Sequence, residues 1–267
     1  MRRADTMRGP MLLIASALLL PSCECEGGPR RALDSVPRIP YPLEGEGEVR
    51  VSRVLRSGPE MREPNVVERF EVREAGEHTV IRVRQEWPRG TADLDVVFDS
   101  SGQPLRVWKR TTIPDASGPL GHRELRVYDL TGDEVRLAER DPTGARSGVA
   151  IRGPRPRAVI GPGRGLLTAW LRRAELAVGE RLREPVLDVR EPLAVVREVT
   201  LKREPDREVE GLGTVRVYTI YGREPVYADD QNVVVGDMFG LRPAGAVEGP
   251  LPDPMPDPGP IDPRELP

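Results

Sequence analysis

The chain has 267 residues, enough for one large or two small domains; 38% are hydrophobic and only 4% aromatic. Charged residues make up 31%, yet 40 basic and 43 acidic side chains leave a net charge of only −3. That balance argues against nucleic acid, which needs a basic face to replace counterions along phosphates.

A core with so few aromatics must be built from Val, Leu and Ile, whose shapes suit a pleated, half-buried surface. Only Lys109 and Lys202 among the basic residues are lysine, a bias that reads as GC-rich coding and not as an arginine-specific function.

The N-terminus is basic at Arg2, Arg3 and Arg8, then apolar from Met11 to Leu20, and then runs Pro21-Ser22-Cys23. A basic start, a short apolar run and small residues at a cleavage point describe a secretory signal. The apolar run is half of the roughly 20 residues that a spanning helix needs. Leu20-Pro21-Ser22-Cys23 resembles the bacterial lipobox, with Pro21 a mild departure at a middle position. The resemblance implies export, cleavage before Cys23 and a diacylglycerol thioether on that cysteine, often with a third acyl chain. Two or three chains give stable anchoring, at about 0.8 kcal/mol per buried methylene. The expected location is the cell envelope, on the periplasmic side of the outer membrane. If Cys23 carries lipid, Cys25 has no disulfide partner in the chain; it is a free thiol, a second acylation site, or without a role.

Residues 23–46 carry Gly27-Gly28-Pro29, Pro37, Pro40 and Pro42 and read as a flexible tether behind a 1–22 signal peptide. From Glu48 onwards apolar residues alternate with charged ones. Val49 and Val51 start the pattern, followed by Phe70 and Val72, Ile81 and Val83, then Leu94, Val96 and Phe98. Leu105 and Val107, Leu125 and Val127, and Val135 and Leu137 continue it. Period two is the strand signal, and Gly, Pro and Ser punctuate the runs as turns. After Gly161-Pro162-Gly163-Arg164-Gly165 the period changes. Leu167, Trp170, Leu171 and Ala174 share one face of a helix over 166–176, expected to stop near Gly179. Strands resume over about 186–190, 195–203, 214–221 and 232–235. Eight prolines fall within residues 250–267, and 243–267 is expected to be a disordered, proline-rich tail. The expected domain, residues 47–242, is mainly β: a single antiparallel curved sheet or open barrel with one central amphipathic helix.

Residue chemistry points away from catalysis. His78 and His122 have no Cys or acidic cluster at ligand spacing, and no Gly-x-Ser-x-Gly elbow occurs. Asp93 and Asp95 share a strand face and could suit a cation, and Asp229-Asp230 sits in a turn. The Gly161–Gly165 loop matches neither phosphate-binding pattern. No catalytic residue, metal or cofactor is expected.

A lipobox, a curved sheet and a helix across its open face together resemble the lipoprotein-localisation half-barrels, LolA and LolB, and related uncharacterised exported bacterial proteins. The stretch Leu166-Leu167-Thr168-Ala169-Trp170-Leu171-Arg172-Arg173, then Leu176-Ala177-Val178-Gly179-Glu180, carries the resemblance. It implies a cavity for acyl chains, with Leu167, Trp170 and Leu171 as the candidate lining. The expectation is a membrane-anchored, non-catalytic protein binding an apolar or amphipathic ligand, with lipid or protein as partner. The alternatives are an envelope scaffold and an enzyme of unrecognised type.

Overall fold

The computed structural model describes residues 47–61, 65–113, 122–140, 146–190 and 194–244. The signal segment, Cys23, Cys25, the tether and the proline-rich tail after Ala244 lie outside them; the first two residues of the expected disordered tail, Pro243 and Ala244, are instead ordered by pairing with Leu55 and Val54 of the first strand. The strands are β1 (Glu48–Arg56), β2 (Val67–Ala75), β3 (His78–Trp87), β4 (Gly90–Phe98), β5 (Pro104–Ile113), β6 (His122–Asp129), β7 (Val135–Arg140) and β8 (Arg146–Ile151). Then follow β9 (Ala158–Ile160), a 3₁₀ turn (Arg164–Leu166) and α1 (Leu167–Ala174). The chain continues through β10 (Arg181–Asp188), β11 (Val195–Val209), β12 (Gly213–Ile220), β13 (Glu224–Ala228), β14 (Val234–Asp237) and β15 (Arg242–Pro243).

The expected mainly-β fold with one helix is present. Its strands are laddered as two sheets: nine strands in the order β15-β1-β2-β3-β4-β5-β6-β7-β8, and six in the order β14-β13-β12-β11-β10-β9. The pairings are antiparallel except β9 with β10, where Ala158–Ile160 run alongside Val186–Asp188 in the same direction. A parallel pair cannot be joined by a hairpin and needs a crossover, usually helical. The 3₁₀ turn and α1 are that crossover, so the helix belongs to the topology of the smaller sheet.

Register explains which side chains face inward. Val72, Ile81, Val96, Val107, Tyr128 and Leu137 sit opposite one another across six strands of the larger sheet and are all buried. The neighbouring row begins Phe70, Val83, Leu94 and turns charged at Lys109, Arg126 and Glu139. This second row is thus apolar at β2–β4 and polar at β5–β7, while the first stays apolar throughout. One continuous core joins this face, α1 and inward residues of the smaller sheet such as Val186, Val199, Leu201, Tyr218 and Ile220. Burying each such side chain contributes about 1.5–3 kcal/mol. The opposite face of the larger sheet carries Arg82, Arg84, Asp93, Asp95, Arg106 and Arg110, as the alternation in the sequence requires.

The helix is shorter than the sequence pattern suggests. It ends at Glu175, which takes a left-handed conformation (φ 43°) and donates its backbone N–H to Leu171 O at 3.4 Å. Gly179 (φ 89°) serves the later turn into β10. No helix among the described residues is long and apolar enough to cross a membrane.

Candidate functional site

The loop Gly161–Gly165 presses against the inner face of the larger sheet. A Cβ on Gly163 would stand 2.3 Å from Val83 Cγ1, and one on Gly165 2.3 Å from Phe70 Cγ. On Gly161 it would stand 2.6 Å from Leu166 Cδ1 and 2.9 Å from Leu94 Cδ2. These glycines let backbone approach side chain more closely than any other residue would permit.

The buried amides at the end of that loop already have their anion. Glu68, on β2 in line with Phe70 and Val72, accepts hydrogen bonds from Arg164 N at 2.8 Å and Gly165 N at 2.6 Å. Gln85 Nε2 donates to Pro162 O at 3.0 Å and to Glu68 at 3.4 Å. A carboxylate at a helix start satisfies orphan donors and complements the dipole. Burial pushes the Glu68 carboxyl up to about 7, with the Asp237 charge adding to it; the backbone donors and the Arg164 charge oppose the rise. Glu68 was legible as an anomaly, since a Glu on the apolar parity of a strand is a buried acid in want of partners.

Arg164 extends from the same turn to the other sheet. Its Nε donates to Asp237 Oδ2 at 2.9 Å, and its guanidinium lies 5.4 Å from the Phe239 ring centre. Asp237 Oδ1 also accepts the backbone N–H groups of Phe239 and Leu241 at 2.9 and 3.2 Å. Glu224 lies 3.9 Å from Arg164 and 3.3 Å from Arg190. Arg190 and Arg197 both hold Asp188, which also accepts the Tyr221 hydroxyl at 3.1 Å. Burial works to raise Asp188, but the hydrogen bonds and charge of Arg190, with the charge of Arg197, outweigh it and hold the carboxyl below its usual range.

Leu167, Trp170 and Leu171 are packed in the core at 1%, 2% and 0% exposure. The Trp170 indole N–H is buried with no hydrogen-bond partner among the described residues. The helix is fixed along its length. Thr168 Oγ1 accepts Val234 N at 3.3 Å, Arg172 Nε donates to Gln231 O at 3.3 Å, and Arg173 pairs with Glu184.

A polar groove of about 460 Å³ lies on the outer face of the smaller sheet, within the usual size of small-ligand sites. Its lining includes Arg181, Glu198, Thr200, Lys202, Glu204 and Tyr221. Its charges are balanced, and Lys202 is already paired with Glu204 at 2.8 Å.

The other candidates are dispersed. Asp93 lies 3.5 Å from Arg84, and Asp95 lies 3.9 Å from Arg82. These arginines take the place a cation would need. Asp229 caps its own turn through the amides of Gln231 and Val233 and pairs with Arg53 at 3.6 Å. His78 opens β3 opposite Ala75, and the His122 side chain lies outside the described set, as does Cys23. No group of three or more metal-ligating side chains occurs among the described residues.

No family model matches the sequence, and no curated protein matches it. Two solved structures are similar. A DUF1089 family protein from Pseudomonas aeruginosa is 15% identical with a TM-score of 0.44, over 70% of this chain and 96% of its own. A β-barrel-like protein of the domain of unknown function DUF1849 from Brucella abortus is 10% identical with a TM-score of 0.38, over 69% of this chain and 80% of its own.

Proposed function

We propose that the protein is a lipid-anchored envelope lipoprotein that acts as a rigid, non-catalytic binding scaffold. The observation that carries this reading is the state of the helix. Its apolar face is wholly consumed by the core, and the Glu68–Arg164–Asp237 chain ties its start to both sheets. Opening it as a lid would expose that apolar face to water, at about 1.5–3 kcal/mol for each buried leucine such as Leu167 and Leu171. Binding is then left to the outer surfaces, where the groove by Arg181 and Tyr221 offers hydroxyls and both signs of charge. The N-terminal run ending at Leu20-Pro21-Ser22-Cys23 supports the anchor.

A second reading, an interior site for an amphipathic ligand, is favoured by one feature. The buried Trp170 N–H lacks an acceptor among the described residues, and such a group costs about 1–3 kcal/mol. Native mass spectrometry of the full chain, followed by lipid extraction, separates the two. The scaffold reading expects no amphiphile beyond the acyl chains on Cys23. A stoichiometric extra lipid, lost on Trp170→Phe, would overturn it in favour of the interior site.

A further inference from the structure

Arg181 and Lys202 face each other across the β10–β11 pair and both line the groove; Thr219 continues their row on β12. Side chains so placed stand about 4.5–5.5 Å apart at Cβ, and like charges directly opposite destabilise a sheet. The count of lining charges is even, but the pairing is not. Lys202 meets Glu204 at 2.8 Å, while Glu198, the other lining acid, turns to Arg183 at 3.5 Å, which lies beyond the lining. Glu180, next to Arg181 in the chain, accepts the backbone N–H of Ala177 at 2.8 Å and so caps its own turn. Arg181 is left without an ion pair among the described residues.

Unengaged donors therefore gather at one spot. The Arg181 guanidinium keeps its whole fork of N–H groups, Lys202 keeps those not given to Glu204, and the Thr200 hydroxyl lines the groove beside them. Acceptors stand on either side: the carboxylates of Glu198 and Glu204, and the Thr219 oxygen, which itself donates to Glu204 at 3.3 Å. Tyr221 closes one end as a fixed wall. Its hydroxyl is given to Asp188, and the guanidiniums of Arg190 and Arg197 lie 5.6 and 5.4 Å from its ring centre.

We infer that the groove takes a polyhydroxylated carboxylate, whose acid group sits between Arg181 and Lys202 and whose hydroxyls meet the threonines and the two glutamates. This rests on the reading of the outer surfaces as the binding surfaces and adds the ligand class. A carboxylate relieves the repulsion between the facing cations, and a guanidinium fork matches its two oxygens. A neutral polyol leaves that repulsion in place. A bare carboxylate uses the donors and none of the flanking acceptors. An added ammonium group has no counterpart, because each lining glutamate already has its cation.

Titration calorimetry of the full chain in detergent, at low salt, tests the assignment with D-gluconate, sorbitol and acetate. Gluconate and sorbitol share the hydroxylated chain and differ at the carboxylate, and acetate has the carboxylate alone. Gluconate should bind at least about tenfold more tightly than either, and Arg181→Met should weaken it about tenfold, as expected for a lost charge-assisted pair. Arg181 is exposed on its strand, so the variant keeps the core intact. In the unaltered chain, gluconate should shift the amide NMR signals of Arg181, Thr200 and Lys202. Equal binding of sorbitol removes the carboxylate from the assignment, and equal binding of acetate removes the hydroxyls; either overturns it. So does a gluconate that fails to bind, shifts none of these amides, or binds Arg181→Met unchanged. None of these outcomes touches the rigid-scaffold reading, which falls only to a stoichiometric extra lipid on the unaltered chain.

Discussion

Gly165 and Phe70 are 95 residues apart in sequence, yet a single added carbon on Gly165 would lie 2.3 Å from the Phe70 ring. The ring is fully buried and held between strands, so it cannot give way. Gly165→Ala is expected to destabilise the fold by about 1–3 kcal/mol through overpacking. Urea unfolding should show a lower midpoint with an unchanged slope, because the surface exposed on unfolding is the same. Wild-type stability in that variant would mean that the loop does not press on the sheet.

Removing one partner of the Asp237–Arg164 pair leaves the other charged and buried. Asp237→Ala is expected to cost about 3–5 kcal/mol. Adding Arg164→Met should recover part of that loss, since it removes the stranded charge. The measurement is a double-mutant cycle by chemical denaturation. Simple additivity would show that the two side chains do not interact.

Trp170 is among the largest fully buried side chains. Trp170→Ala should cost about 3–5 kcal/mol. Trp170→Phe should lose clearly less, because the indole N–H it gives up has no partner. Thermal unfolding of both variants gives the comparison; equal losses would mean that the N–H is bonded.

Asp188 governs the acid side. Its carboxyl is held below the ordinary range, so its contribution is present above the unfolded value and is lost as pH falls through the folded one. Asp188→Asn should lower stability at neutral pH and flatten the acid limb of the stability curve. A limb as steep as that of the natural chain would assign acid sensitivity elsewhere.

The anchor is tested at Cys23. Labelled fatty acid should enter the natural chain in an exporting bacterium and should not enter Cys23→Ala, which should leave the membrane fraction. Labelling that persists in the variant would point to Cys25 or to no lipobox at all.

Much of the fold was legible because period-two alternation reports burial directly: Phe70, Val72, Ile81, Val83 and Leu94 face inward as their parity requires. The helix was legible for the same reason, at a period of 3.6 residues. Its end was not, because Glu175 adopts a left-handed conformation that glycine usually marks. Local pattern also cannot say which strands pair. The division into two sheets and the parallel β9–β10 pair depend on contacts between distant residues, as does the route of the helix between them.

The apolar make-up of the core, the strand-rich character and the lipobox-like segment each depend on neighbouring residues alone, and each could be read before folding. The role of the loop before α1 depends on contacts between distant residues. Its glycines match neither phosphate-binding pattern, and the anion that its amides bind is Glu68, from 96 residues away. Only folding brings together a donor pair, a buried acid and Arg164, because burial sets their charges and distance in space decides which of them meet.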